Sequence, residues 1–551
     1  MKKRTICNPV NINYQYQHVY KSRESADPAV VIYKDEYYLF ASHGSGYWVS
    51  KDLGDWEFIE VDTELQPEFN LFAPAPLVIG DRMYLTHSQG GCMLYSDNPR
   101  DPDSWVNIGK AFHWEDPALL LDDDGSVYIY EGLSQDKPLR AAKLDPDNNM
   151  SLLEGPVAIF DSDMAVRGFE RFFRDGKYVD RQPSLEGAWV NKIDGKYYLT
   201  YACPGTEIDI YADGCAVSDS PMGPFEYCDN SPVVFKATGF MRGAGHGCLF
   251  YDKFGDLWKM DTAAIAVNFI FERRLNLFPA KLGDDGRLYT NTLRGDYPML
   301  VPDGTFDPFT SADAGWNLLS YGRNVKVSSV LDEKHPAELA ADENMCTWWC
   351  AETGNPGEWL EMDLGKVNRA CSVQVNFADQ DIERYHGRKN GFSYKYTLEG
   401  SVDGENWFML VDRRDNDDDP CHEYFQFEEE TLFRYIRLTN CGIVPADGKF
   451  AVSGLRVFGI GEGDAPEKSP DFTAERWEDE TIMTVKWDAV PGAEGYIVRF
   501  GVNPDELHTH WQTIGECEAV IRCLNCGCRY YVTVDAYNEN GEVRGEKTVV
   551  V

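Results

Sequence analysis

Ala26-Asp27-Pro28-Ala29-Val30-Val31-Ile32-Tyr33 passes through Lys34-Asp35-Glu36 into Tyr37-Tyr38-Leu39-Phe40. An apolar run, a turn and a second apolar run read as a β-hairpin. The same hairpin returns four times. Its later openings are Phe72-Ala73-Pro74, Glu115-Asp116-Pro117, Leu185-Glu186-Gly187 and Gly245-His246-Gly247. The matching second runs are Met83-Tyr84-Leu85-Thr86, Val127-Tyr128-Ile129-Tyr130, Tyr197-Tyr198-Leu199-Thr200 and Leu257-Trp258-Lys259-Met260. Taking positions 27, 73, 116, 186 and 246 as equivalent, the second run begins 10, 10, 11, 11 and 11 residues later. Repeated units of one kind stack equivalent positions around an axis. Asp27, Asp116 and Glu186 are therefore expected in one place, with Ala73 and His246 in the other two slots.

The intervals between these positions are 46, 43, 70 and 60 residues. A four-stranded propeller blade takes roughly 40–45 residues, and the longer intervals leave room for insertions. Outer strands are legible in Gly46-Tyr47-Trp48-Val49-Ser50 and Trp56-Glu57-Phe58-Ile59, and turns in Asp124-Gly125, Asp194-Gly195 and Asp284-Asp285-Gly286. No long amphipathic helix is apparent. The expectation is an all-β chain whose residues 1–300 form a five-bladed β-propeller.

A connector with Pro298, Pro302, Gly304, Pro308 and Gly315 leads to a second β domain over 318–460. Its Thr347-Trp348-Trp349, Glu358-Trp359-Leu360-Glu361-Met362-Asp363-Leu364-Gly365, Arg434-Tyr435-Ile436-Arg437-Leu438 and Ser453-Gly454-Leu455-Arg456-Val457-Phe458-Gly459 resemble the discoidin, or coagulation factor 5/8 C-terminal, jelly roll. Many carbohydrate-binding modules share that fold. Trp348, Trp349, Tyr385, His386 and Arg388 are its candidate ligand groups, although each also reads as core or interface. After a Gly/Pro/acidic linker, residues 468–551 alternate with period two. Trp487, Tyr496 and the run Tyr530-Tyr531-Val532-Thr533-Val534 resemble a fibronectin type III β-sandwich.

At 551 residues the chain exceeds a single hydrophobic core. Apolar residues make up 43% of it, which rules out disorder. The net charge of −39 argues against nucleic acid, whose phosphates need a basic surface. No apolar run is long enough for a membrane helix. Met1-Lys2-Lys3-Arg4-Thr5-Ile6-Cys7 lacks the apolar core of a signal peptide, and a cytoplasmic protein is expected. The 15 cysteines are odd in number. Cys517, Cys523, Cys526 and Cys528 cluster without a second pair or histidine nearby, so reduced thiols are favoured over a zinc site. Oligomeric state is not legible.

Three unpaired carboxylates in one pocket repel one another, so at least one stays protonated near neutrality. Acid–base chemistry needs such a set: a protonated donor, an ionised acceptor and a third group that tunes the donor. Asp-Pro alone reads as the start of a strand. Three carboxylates in register within a fivefold repeat do not.

The propeller motifs resemble glycoside hydrolase family 43, the five-bladed propeller glycosidases of clan F. The resemblance rests on Ala26-Asp27-Pro28-Ala29-Val30-Val31 with Tyr37-Tyr38-Leu39, on Glu115-Asp116-Pro117-Ala118-Leu119 with Asp122-Asp123-Asp124-Gly125, and on Glu186-Gly187-Ala188-Trp189 with Asp194-Gly195-Lys196-Tyr197-Tyr198-Leu199. It implies Asp27 as the general base, Glu186 as the general acid, and Asp116 as the residue that orients Glu186 and raises its pKa. It implies inversion, with base and acid carboxyls roughly 6.5–9.5 Å apart. His246 matches a channel histidine that contacts a central water or a Ca²⁺. No cofactor is required, and a structural Ca²⁺ is the one candidate metal. Arg273 aligns with a substrate-contacting arginine, with Arg274 as the neighbouring alternative. His43, Trp48, Phe72, Trp114 and Trp189 are candidates for the sugar subsite and its aromatic wall, or for core. Two departures, Phe72 where relatives often carry Trp and Gly187-Ala188 where Gly-Pro is commoner, touch the pocket wall and leave the three carboxylates intact.

The expected function is an exo-acting inverting glycosidase. It would release terminal α-L-arabinofuranose or β-D-xylose from plant-derived oligosaccharides, with an oligosaccharide or polysaccharide as the expected partner. Galactan- or arabinan-cleaving activity is the alternative within the family. A non-catalytic carbohydrate-binding propeller and an adhesive surface protein are the alternatives outside it.

Overall fold

The computed structural model describes all residues except 1–2, 18–21, 89–90, 111, 175, 266–270, 383–392 and 445–447. Five antiparallel sheets succeed one another along the chain. Blade 1 is Ala26–Tyr33, Glu36–Ser42, Gly46–Ser50 and Glu57–Glu60. Blade 2 runs from Ala75–Ile79 to Val106–Asn107, blade 3 from Ala118–Leu121 to Ser151–Phe160, blade 4 from Leu185–Ile193 to Glu226–Tyr227, and blade 5 from Gly245–Tyr251 to Leu288–Thr290. Leu133–Ser134, from the chain between blades 3 and 4, adds a fifth strand to blade 4 beside Leu185–Ile193. Aromatic and β-branched residues pack between the blades, as with Tyr38, Phe40, Tyr47, Phe69 and Trp105 between blades 1 and 2. Tight turns follow the expected chemistry. Asp194 and Gly195 both have positive φ, 49° and 80°, as a type I′ hairpin requires.

The ring closes without exchanging a strand between blades. Thr5–Ile6 pairs with Met299–Leu300, and the Asn8 amide donates to the carbonyls of Leu277 and Gly295. Among the described residues the one α-helix is the single turn Pro308–Ser311.

The second unit is an eight-stranded sheet built on two 19-residue strands, Trp359–Phe377 and His422–Asn440. Irregularities at Asp363/Asn368 and Ala370/Ser372 bend this pair. Its core holds Trp349, Leu360, Val375, Phe377 and Leu438. The third unit packs the three strands Phe472–Arg476, Met483–Trp487 and Glu518–Ile521 against a second sheet centred on Gly495–Gly501 and Tyr531–Asn538. Its core contains Trp487 and Tyr496 and runs on into that of blade 4. Cys523 belongs to that core, and the Cys526 thiol faces the Ala165 carbonyl of the propeller.

The jelly roll and the sandwich both dock on the propeller through buried polar contacts. Arg456 donates to the Asp296 carbonyl and pairs with Glu343. Asn525 donates to the carbonyls of Asp229 and Ser231. Tyr385, His386 and Arg388 lie outside the described residues. Trp349 is core, and Trp348 donates its indole N–H to Gln380.

Candidate active site

The residue after each blade's opening lies in the left-handed region. The angles are 53° at Asp27, 45° at Ala73, 43° at Asp116, 63° at Gly187 and 48° at His246. Four of the five are not glycine, a conformation costing roughly 1–2 kcal/mol per residue. The strain recurs at one point of the fold and re-aims the chain as it enters the channel. It also corrects the sequence register. Gly187, not Glu186, is equivalent to Asp27 and His246. The pairs Ala26↔Ser42, Glu186↔Ala202 and Gly245↔Thr262 agree, each followed by a register shift. Glu186 therefore reaches the site from the preceding slot. Gly187 is required there, since a Cβ would lie 2.7 Å from the His246 ring.

Asp27, Asp116, Glu186, His246, Arg273, His43 and Phe72 line one pocket of about 320 Å³. Asp27 is the most constrained of them. Ser42 donates its hydroxyl to Oδ2 at 2.5 Å. Arg273 Nη1 lies 3.2 Å and His246 Nδ1 3.3 Å from Oδ1. Burial opposes ionisation of Asp27, but Arg273, His246 and the Ser42 hydroxyl outweigh it and hold its pKa below the usual 3.8.

Glu186 and Asp116 go the other way. Burial raises Glu186, and the Asp27 charge adds to it, against the opposing pull of His246 and a hydrogen bond from Tyr211. Burial also pushes Asp116 up, with Glu186, Asp27 and Glu115 adding to it and His246 opposing. The push on Asp116 exceeds the tuning role expected from sequence. Asp116, pushed up to about 8, keeps its proton near neutrality, and Glu186 is raised beside it. His246 Nδ1 also lies 3.7 Å from Asp116 Oδ2. Burial disfavours its cation, yet Asp27, Asp116 and Glu186 prevail and raise its pKa.

His246 thus turns Nδ1 towards two carboxylates as a proton donor. Ca²⁺ takes six to eight oxygen ligands. Among the described residues no cluster of three His, Cys, Asp or Glu side chains could hold a metal ion. The donors around His246 fit an imidazolium, not a Ca²⁺ cage.

Arg273 Nε donates to Glu24 Oε1 at 2.5 Å, and Glu24 stands 3.6 Å from His43 Nε2. His43 packs edge-on against Phe72 with ring centres 5.3 Å apart. Arg274 faces away from the pocket, donating to His422 and to the Arg23 carbonyl, so the choice between the two arginines falls on Arg273. Trp48 and Trp114 are corrections. Both are fully buried between blades, and Trp114 donates its indole N–H to the His87 carbonyl. Trp189 packs between blades and donates to the Leu249 carbonyl. Glu24, Leu133, Arg181, Ser184, Gly205, Thr206, Glu207 and Phe271 complete the lining. None sits at a repeat position, so the repeat could not signal them. A larger cavity of about 480 Å³ lies between the N-terminal segment and the jelly roll. It brings together no comparable set of buried acids.

Residues 16–286 match the family model of Glycosyl hydrolases family 43, and residues 324–445 match that of the F5/8 type C domain. Three curated relatives are similar to the chain. An arabinoxylan arabinofuranohydrolase from Paenibacillus polymyxa is 29% identical over 205 residues, 31% of this chain and 28% of that protein. A beta-xylosidase from Xylanibacter ruminicola is 32% identical over 129 residues, 20% of this chain and 39% of that protein. A xylosidase/arabinosidase from Bacteroides ovatus is 31% identical over 151 residues, 24% of this chain and 45% of that protein. The chain thus spans less than half the length of these relatives.

Proposed function

We propose that the protein is an exo-acting, inverting glycosidase that releases a terminal pentose, α-L-arabinofuranose or β-D-xylose. The observation that carries this reading is the split among the pocket's carboxyls. Asp27 is held ionised by Arg273, His246 and Ser42, while burial holds a proton on the Asp116/Glu186 pair. One pocket then contains a base and an acid at the same pH. Asp27 takes a proton from water as its oxygen attacks the anomeric carbon. Glu186 gives its proton to the leaving oxygen from Oε2, since Oε1 accepts from Tyr211. Asp116 helps to keep Glu186 protonated before the transfer; afterwards the proton gained by Asp27 passes to solvent and Glu186 takes a new one from solvent. His246 and Arg273 fix Asp27 and offset its charge, and no step needs a metal. The modest pocket volume favours one terminal sugar over a polymer chain. The names of the relatives agree with a pentose. A purely sugar-binding propeller would gain nothing from crowding three buried acids.

Release rates from the 4-nitrophenyl α-L-arabinofuranoside, β-D-xyloside and β-D-galactoside test the reading. Asp27→Asn and Glu186→Gln should each cost about 10²–10⁴-fold in rate while remaining folded. Hydrolysis of the galactoside alone would refute the pentose assignment. A variant that kept more than a tenth of the rate would lose its assigned role.

A further inference from the structure

The wall behind the proposed base is two residues deep. Side chains alternate along a strand, and in the strands Ser22–Glu24 and Arg273–Leu282 the alternation separates two environments. Glu24 and Arg273 face the pocket. Their chain neighbours Arg23 and Arg274 face the jelly roll. Arg23 Nε donates to Asp379 Oδ2 and Nη1 to Asp419 Oδ1, both at 2.5 Å. Arg274 Nε donates to His422 Nε2 at 2.7 Å, and its Nη1 donates to the Arg23 and Arg273 carbonyls at 2.7 and 3.0 Å. His422 Nε2 accepts, so its proton is on Nδ1, which faces Asn376 Oδ1 at 2.9 Å. Asp379 is anchored in turn by the Tyr394 hydroxyl at 2.7 Å, and the Tyr394 ring stacks on Phe377. Arg23, Arg274, Asp379, Asp419 and His422 are all buried.

We propose that Asp379, Asp419 and His422 are positioning residues for the reaction, fixing Arg23 and Arg274 and thereby Glu24, Arg273 and the Asp27 carboxyl. A buried guanidinium holds its geometry only while its partners stay in place: the jelly-roll carboxylates Asp379 and Asp419 for Arg23, and neutral His422 together with Glu272, two residues earlier in the chain, for Arg274. Here each such guanidinium is joined through one peptide bond to a residue that grips Asp27 or the partner of its grip. The jelly roll is then part of the pocket wall and not a detachable binding module. This inference rests on the reading of Asp27 as the base.

The groups that face Asp27 are Arg273 and His246 of blade 5, His43 after blade 1's second strand, Asp116 of blade 3, and Glu186 and Tyr211 of blade 4. Loosening Arg273 weakens the grip that favours the ionised base, so the Asp27 pKa rises.

The test uses the full chain carrying Asp379→Asn with Asp419→Asn. Its control is Asp479→Asn, which breaks the Arg171–Asp479 pair between propeller and sandwich. The control should leave kcat and its pH profile unchanged. The double variant should lose about tenfold or more in kcat, with a smaller change in KM, because small misplacements of reacting groups cost up to about 10²-fold. Its acidic limb should move to higher pH. If the double variant fails to fold, Arg23→Lys keeps the charge and removes the fork, and the same displaced limb is expected. A ¹³C titration of the Asp27 carboxyl, assigned by difference against Asp27→Asn, reads the coupling without turnover. A protein inactive on every glycoside would therefore sink the catalytic reading and leave this inference to be decided by the titration. A folded variant with unchanged kcat, acidic limb and Asp27 titration overturns the inference.

Discussion

Tyr211 donates its hydroxyl to Oε1 of Glu186 at 2.6 Å, and both groups are buried. A hydrogen bond to an ionised carboxyl lowers its pKa, whereas burial raises it, and at Glu186 burial wins. Tyr211→Phe removes the lowering partner. The alkaline limb of kcat/KM should then move to higher pH by up to about one unit. The carboxylate left after proton donation also loses its partner, so kcat should fall about tenfold. A limb that stays in place or moves down would contradict the account.

Asp116→Asn has the opposite effect on the same limb. It removes the carboxylate whose charge, once Asp116 ionises, holds the proton on Glu186, so the Glu186 pKa falls and the alkaline limb moves down. Stability gives an independent sign. Asp116 is raised in the folded protein to about 8, so its contribution is present below the ordinary carboxylate range and is lost as pH rises through about 8. The variant should therefore be more stable than the parent at about pH 9, with the gap closing towards about pH 4. Thermal unfolding across this range reads it. A gap that widened in acid would be the wrong sign.

The five blades were legible because apolar runs and Asp-Gly turns repeat at blade spacing, and the three carboxylates because they sit at the hairpin openings. The one-residue displacement of Glu186 was not legible. Pattern matching aligns residue types, whereas the bulge and the positive φ at Gly187 set the register. Trp48 misled because a strand's period of two says that faces alternate, not which face meets the channel; Trp114 lies in the loop before the strand Ala118–Leu121, and its side chain turns into the core between blades. Arg23 gave no signal, and Arg274 entered only as the alternative to Arg273, since the side chains that fix them, Asp379, Asp419 and His422, lie in a different domain.

Gly187→Ala tests the corrected register. The new methyl would meet the His246 ring and carry φ +63°, a conformation costing roughly 1–2 kcal/mol outside glycine. Displacing His246 also disturbs Asp27. Activity should fall at least tenfold, beyond what the lost stability explains at a temperature where the variant is fully folded. Near-parental kcat would show that the ring position does not matter.

Aromatic residues of the pocket and of the core should separate in mutant data. Trp48→Ala empties a fully buried site and should cost about 3–5 kcal/mol of stability. Phe72→Ala, on the pocket wall, should raise KM severalfold with a much smaller loss of stability. Calorimetry and steady-state kinetics on both variants check this, and the reverse pattern would exchange their places.

The central claim is a single displacement by water across the pocket. Asp27 belongs to blade 1 and Glu186 to blade 4, and blade 5 stands between them in the ring. The His246 ring has Asp27 on its Nδ1 edge and the blade 4 backbone at Gly187 beside Cγ and Cδ2. Retention would instead need the two carboxyls about 5–5.5 Å apart and a glycosyl-enzyme. Proton NMR of the sugar at the moment of release, sampled faster than mutarotation, decides between them. The account predicts a first product of inverted anomeric configuration. A first product with the substrate's own configuration would contradict it, and with it the role given to Asp27.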